Sequence, residues 1–257
     1  MTALCFLALP AGVAGASEKD TIIQARNAYY SLAAHGFANF RCNLTPNWME
    51  ILRDGFRTNP AGANHALDIL KKLIFVVTVA NGAEAKVTHN TVAAENKIMA
   101  EGLQQIYSGM EQTVVGFFTT WTVFVVNPPL PAPDSDYRLQ DQGGRWHLSY
   151  KERAADIATI MEKDFSVREM AVSSAEFGSM LQPKFAHTNE GLLLTSYHAN
   201  YQGKTAASHD KTLLDVLIGY QKINGLQVPK KLNIGGSYND SPFKMEVLFS
   251  NCTATKH

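Results

Sequence analysis

The residues that could do metal or acid–base chemistry are few and lie far apart in this chain. His187, His198 and His209 recur at eleven-residue intervals in a β-rich segment, so neighbouring strands could bring their imidazoles together around a metal ion. The sequence does not fix the register of those strands, and histidines that face solvent or make hydrogen bonds explain the same spacing. We therefore predict no metal site and no cofactor.

Motifs for nucleophilic catalysis and phosphate binding are incomplete. The stretch "YQGKT" at 201–205 is similar to the end of a phosphate-binding loop, but His198 occupies the place of the first glycine. Ser179 in "FGSML" and Ser237 in "IGGSY" lack the second glycine of a nucleophile elbow. These gaps favour a protein that is not an enzyme. A hydrolase with an unrecognised site is kept as an alternative.

The charge balance gives no general attraction to nucleic acid or to an anionic membrane surface. Lys and Arg number 23, and Asp and Glu also number 23. The one basic cluster noted, "PKK" at 229–231, is typical of a solvated strand edge or turn. With 46% hydrophobic residues among 257, the chain has enough apolar material for one large domain or two small ones. We predict no nucleic-acid partner.

The N-terminal segment indicates export. Residues 1–16 form an uncharged apolar run that ends in Ala-Gly-Ala, which fits the small-residue rule for signal-peptidase cleavage before Ser17. The usual basic n-region is missing, and a buried N-terminal segment is the alternative, although the abrupt change to "SEKD" counts against it. No convincing lipobox precedes Cys5. We predict a periplasmic or secreted protein with a signal peptide at 1–16 and a single domain at 17–257.

Two cysteines remain after cleavage, Cys42 and Cys252. A disulfide between them is plausible in an oxidising compartment, and two buried free thiols are the alternative. The apolar alternation from Phe243 to Phe249 places Cys252 on the opposite face of its strand unless a β-bulge intervenes. The disulfide prediction thus depends on a bulge in the last strand.

Helical and strand patterns are mixed in the first half of the chain, 17–126. Residues 20–35 have helical spacing, with Asp20 as the N-cap and Gly36 as the stop. The other predicted elements are a strand at 37–45, short helices at 46–57 and 62–72, and a β-hairpin around Asn81-Gly82. The half is therefore helix-rich, with some strands.

The strongest helical signal lies at 92–122. Apolar residues recur there every three or four positions, which predicts a helix with one apolar face. This face either lines a lipid cavity or fills the core. The end of this segment, "VVGFFTTWTVFVV", is too short and too rich in threonine to span a bilayer and is interpreted as a buried helix end that runs into a strand. The candidate cavity residues are Met99, Leu103, Ile106, Met110, Val114, Phe117, Phe118 and Trp121.

A proline-rich break at 127–136 separates this half from a β-rich half at 137–257. Short strands at even intervals predict an antiparallel meander, with turns near Gly143-Gly144, Lys163-Asp164 and Asn224-Gly225. Because Pro229 has no N–H, it is expected at a sheet edge or at a bulge. The fold class predicted from these patterns is α+β.

The segments "LAAHGFANFRCNLT", "IGYQKINGLQVPKKLNI" and "FKMEVLFSNC" together resemble the LolA/LppX-type lipoprotein-carrier superfamily of bacterial envelopes. The resemblance implies a curved antiparallel sheet, a half-barrel that wraps helices, with an apolar cavity that shields acyl chains. It further implies a carrier of lipid or of another lipophilic molecule, with an envelope protein as a partner. A non-enzymatic protein-binding module of the envelope is the first alternative.

Overall fold

The computed structural model describes residues 17–82, 84–205 and 210–257. The predicted signal peptide at 1–16 and His209 lie outside the described residues. Within the described residues, twelve strands form one sheet. In chain order, β1 to β12 span Phe37–Pro46, Phe75–Ala80, Lys86–His89, Tyr137–Gln142, Arg145–Glu152, Ala155–Met161, Val167–Ser173, Phe177–Thr188, Gly191–Gly203, Lys211–Ile223, Leu226–Tyr238 and Ser241–Lys256.

The strand order is β3-β2-β1-β12-β11-β10-β9-β8-β7-β6-β5-β4, and every described pairing of neighbouring strands is antiparallel. The predicted α+β class and antiparallel sheet are confirmed. The sheet is open, with β3 and β4 at its two edges, and it is not strongly curled. In this respect it differs from the half-barrel that the resemblance implies.

The first predicted helix is shorter than expected. The side chain of Ser17, rather than Asp20, caps it by accepting a hydrogen bond from the backbone N–H of Asp20. A one-turn 3₁₀ helix, Ala33–His35, follows and ends at Gly36, which has a φ of 76°. The α-helices α1 to α5 span Glu18–Asn27, Trp48–Ile51, Arg53–Thr58, Pro60–Leu70 and Lys97–Val125.

Helix α5 differs at both ends from the helix predicted at 92–122. It begins after Asn96, whose side chain accepts a hydrogen bond from the backbone N–H of Met99. It also continues through the segment interpreted as the start of a strand. Trp121 and Phe124 in that segment are fully buried against the core. Their packing outweighs the β-preference of the neighbouring valines and threonines, because tertiary contacts exceed local propensity.

The hydrophobic core lies between α5 and the sheet. The Phe118 ring centroid lies 5.6 Å from that of Phe40 on β1 and 6.1 Å from that of Phe249 on β12. Trp121 meets the edge of Phe40, with a centroid distance of 5.9 Å. The helix-rich and β-rich halves therefore share one sheet and one core, and the proline-rich segment is a connection within this shared structure.

Tyr29 and Tyr30, which follow α1 in the chain, connect it to the β-rich half of the sheet by hydrogen bonds. The Tyr29 hydroxyl donates to the carbonyl of Phe165 at 2.6 Å and accepts from the N–H of Val167 at 2.9 Å. The N–H of Tyr30 donates to the carbonyl of Leu192 on β9. These hydrogen bonds satisfy buried polar groups where α1 meets the sheet.

The predicted disulfide is confirmed, as is the bulge that it requires. Cys42 and Cys252 are bonded across β1 and β12, at a sequence separation of 210. The pairing shifts at this point from Arg41 opposite Thr253 to Asn43 opposite Ser250. Because two residues of β12 face one residue of β1, Cys252 is turned toward Cys42.

Pro229 lies at a bulge in an interior strand and not at an edge of the sheet. Tyr220 pairs with Pro229 while Gly219 pairs with Lys231, so Lys230 is the additional residue. The described pairing of β11 with β12 begins only at Lys231. The missing N–H of the proline is therefore not needed for the ladder with β12.

Candidate functional site

The eight candidate cavity residues all lie on α5, but most of them are core residues. Leu103, Met110, Val114, Phe117, Phe118 and Trp121 are buried, and Met99 and Ile106 are partly buried against the same cluster. They pack against the sheet, and Phe117 is the one that also lines the groove described below. The apolar face of α5 was thus located correctly, although most of the face fills the core.

A groove of about 590 Å³ lies between α5 and strands β9 to β11, with Phe243 of β12 at its side; we call it the α5 groove. This volume falls within the range of roughly 300–1,000 Å³ that is typical of small-molecule sites. Phe117 and Val216 contribute to its apolar wall, together with Leu214 and Ile234. The groove is therefore large enough and apolar enough to accommodate a lipid-like molecule.

Two glycines of α5, Gly109 and Gly116, bring the helix backbone to the surface of this groove. Seven residues are about two helical turns, so the two glycines share one face. A Cβ atom at either position would meet no atom within 4 Å. Gly102 continues the same spacing and is equally open, but it does not line the groove. A side chain could therefore be added at either glycine of the groove without a clash at its Cβ atom.

Hydroxyl groups supply most of the polar chemistry of the groove, together with the amide of Gln112. Thr120 Oγ1 lies 2.7 Å from the hydroxyl of Tyr201, and the two groups share a hydrogen bond. Burial raises the pKa of Tyr197 well above its ordinary value, the nearby Tyr201 raises it further, and a hydrogen bond with Thr120 offsets part of the rise. Burial also raises the pKa of Tyr201. Both tyrosines consequently remain neutral at physiological pH.

Charged side chains are absent from the described lining of the α5 groove. At its rim, the carboxylate of Asp210 takes part in a side-chain hydrogen bond with Tyr238 that raises the pKa of this tyrosine. The interior therefore combines apolar side chains with neutral hydrogen-bonding groups.

A second cavity, of about 550 Å³, lies between the C-terminal end of α5, the proline-rich segment and neighbouring turns. Arg26 and Arg153 line it together with Glu84 and Glu152. Arg26 already donates hydrogen bonds to the carbonyl groups of Leu130 and Pro131. With charges of both signs along its wall, this cavity is less suited to an apolar ligand than the α5 groove.

His187 and His198, two of the histidines considered for a metal site, each contact a different aspartate. His187 Nε2 lies 3.3 Å from Asp164, and His198 Nδ1 lies 3.0 Å from Asp215. Ser196 lines the same shallow cavity as His198, but no hydrogen bond joins the two within the described structure. The two histidine–aspartate contacts lie at the exposed surface and do not show the geometry of an activated nucleophile. No group of three or more metal-ligating side chains occurs among the described residues.

The glycine and tyrosine contributions to the groove were not predicted from the sequence. The seven-residue repeat of Gly102, Gly109 and Gly116 was a signal that could have indicated open space along one face of the helix.

Comparisons of the chain with protein-family models, with curated proteins and with solved structures find no match. Within the part of the chain that the structure describes, no helix has the length and apolar character needed to cross a membrane.

Proposed function

We propose that the protein binds a lipid or another lipophilic small molecule in the α5 groove. The observation that carries this proposal is the gap of about 590 Å³ between α5 and the sheet, lined by apolar and neutral polar residues. An acyl chain gains about 0.8 kcal/mol for each methylene group that it removes from water. A chain of moderate length buried in the groove would therefore bind tightly without covalent chemistry.

The resemblance to lipoprotein carriers supports a role in holding or transferring such a ligand in the bacterial envelope. Our proposal includes export to the periplasm or beyond, and the Cys42–Cys252 disulfide supports an oxidising compartment. A strongly curved half-barrel is not needed for the mechanism. The groove requires only that one long helix stand away from three strands of the sheet.

The first experiment is native mass spectrometry of the mature protein purified from a bacterial envelope, followed by organic extraction of the bound molecule. We expect a co-purifying lipophile of defined mass. The matched test uses Gly116→Leu, which places a side chain in the groove, and Gly102→Leu, which makes the same change outside it. Both variants gain helix propensity, so their stability should not fall.

The two variants separate ligand binding from general effects on the helix. We expect Gly116→Leu to lose most of the bound lipophile and Gly102→Leu to retain it. Equal retention by both variants would place the ligand elsewhere. A clean mass without ligand, and no uptake of added phospholipid or fatty alcohol, would contradict the proposal and favour a protein-binding envelope module.

A further inference from the structure

The chemistry of the groove wall restricts the class of ligand, and this inference rests on the proposed function. We propose that the ligand is an uncharged lipophile with a hydroxyl or carbonyl oxygen that enters the α5 groove and bonds to the hydroxyl cluster Thr120, Tyr197 and Tyr201. The class includes fatty alcohols, acylglycerols and other neutral lipids that carry oxygen.

The charges around the groove limit which head groups can enter it. The described lining supplies no cation for a carboxylate or phosphate and no carboxylate for an amine. A charged group buried there without a partner would lose its hydration and gain nothing comparable in return. Asp210, which contacts Tyr238 at the rim, adds repulsion for an anion. An ionised head group is therefore excluded from the interior of the groove.

The hydroxyl cluster has more protons to donate than it has partners for them. Each of the three hydroxyl groups in the cluster carries one proton to donate and two lone pairs. The contacts of Thr120 with Tyr201 and with Tyr197 use at most two of these three protons. At least one proton and several lone pairs are left without a partner within the described structure.

The position of the hydroxyl cluster allows it to meet a ligand inside the groove. Tyr197 and Thr120 are 3% and 7% exposed, so the cluster lies in the wall and not on the outer surface. Tyrosine is protonated at neutral pH even at its ordinary pKa of about 10, and burial raises the pKa of both tyrosines further. None of these hydroxyls is among the fully buried polar atoms that lack a partner, so the spare proton is open to the groove. A hydrocarbon that displaced water from it would leave it unpaired, whereas an oxygen atom of the ligand would accept it. The cluster therefore selects for an oxygen-bearing ligand over a plain hydrocarbon.

The test compares four probes with the same chain: dodecan-1-ol, dodecanoate, dodecylammonium and dodecane, each titrated into the full protein at pH 8 by displacement of a fluorescent lipophile. We expect dodecan-1-ol to bind at least about tenfold more tightly than either charged probe. We also expect it to bind about fivefold more tightly than dodecane, the gain of one ordinary hydrogen bond.

Two variants examine the cluster itself. Thr120→Val and Tyr201→Phe each remove one hydroxyl group and should weaken dodecan-1-ol binding about fivefold while leaving dodecane binding unchanged. Thr122→Val is the matched control, because Thr122 lies on the same helix but its hydroxyl donates to the backbone of Thr119 and does not line the groove. Thermal unfolding of all three variants verifies that they fold.

The outcomes separate this inference from the proposed function. If a charged probe binds as tightly as the alcohol, the groove takes lipophiles but is not selective for neutral ones. If the alcohol and dodecane bind equally, or if neither cluster variant has an effect, the hydroxyl cluster does not recognise the ligand. If none of the four probes binds, the proposed function itself is wrong.

Discussion

Cys42 lies opposite two residues of β12, and the second of them, Cys252, forms the disulfide with it. Asn251, the other residue of the bulge, has a φ of 50°, in the left-handed region of backbone conformation. A regular β12 would direct residue 252 to the face that Phe249 does not occupy. The cross-link and the bulge therefore depend on one another.

The disulfide should make a large contribution to stability because it closes a loop of 210 residues. We expect reduction with dithiothreitol to lower the free energy of unfolding by about 3 to 5 kcal/mol in urea titrations. The double variant Cys42→Ala/Cys252→Ala should be destabilised to a similar extent and should not respond to the reductant. Identical unfolding midpoints for the oxidised and reduced wild-type protein would contradict this expectation.

The bulge should be sensitive to the residue at position 251. Asn251→Val places a β-branched side chain in a left-handed conformation, which should cost roughly 1 to 2 kcal/mol in the free energy of unfolding. Asn251→Gly is the control and should be nearly neutral, because glycine adopts this conformation readily. The side chain is exposed, so few contacts are lost in either variant. Equal stability of the two variants would show that backbone conformation is not what position 251 contributes.

Two adjacent glycines of β11 offer a matched pair. A Cβ atom on Gly236 would lie 1.9 Å from the carbonyl oxygen of Leu213, whereas one on Gly235 would meet nothing within 4 Å. We expect Gly236→Ala to lower the free energy of unfolding by about 3 kcal/mol and Gly235→Ala to change it by less than about 0.5 kcal/mol. Chemical denaturation measures both, and similar values for the two variants would refute the close approach of β10 and β11 at this point.

Glu162 should titrate at unusually low pH. Hydrogen bonds from Arg168 and Arg145 hold the pKa of its carboxyl group below the ordinary value. A lowered folded-state pKa adds stability that is present above the ordinary pKa of glutamate and is lost as the pH falls through the lowered value. Arg168→Gln should raise the pKa of Glu162 toward its ordinary value, as measured by NMR titration of the carboxyl carbon.

Arg57→Gln is the control for this titration, because Arg57 pairs with Asp54 on α3 and makes no described contact with Glu162. The pKa of Glu162 should be the same in this variant as in the wild-type protein. A shift of similar size in both variants would mean that the change in net charge, and not the local hydrogen bonds, sets the pKa.

Local patterns of the sequence predicted many of the elements but not how the sheet is joined. The hairpin turns at Asn81-Gly82, Gly143-Gly144 and Asn224-Gly225 follow from glycine and asparagine, which adopt positive φ at low cost. The pairing of β1 with β12 is a contact between distant residues, and only the two cysteines indicated it. The sequence alone also left the curvature of the sheet undetermined.

The candidate site was predicted only in part. Helical periodicity identifies the apolar face of α5, yet it cannot separate residues that touch the sheet from residues that face a gap. Phe117 lines the α5 groove while Trp121 is fully buried in the core, although both belong to the same stripe. The separation depends on how far the helix stands from β9 and β10, which is decided by packing of the whole domain.

The position of β12 has a consequence for the order of folding. Strands β1–β3 form one group and strands β4–β11 form another. Within each group, every strand pairs only with the strand before or after it in the chain. Strand β12 pairs with β11 through Ser241–Leu248 and with β1 through Val247–Lys256, and so joins the two groups. Contacts between distant segments form slowly, because closing the long loop between them costs chain entropy before the contacts are made. During synthesis the two groups cannot pair into one sheet until this strand has been added.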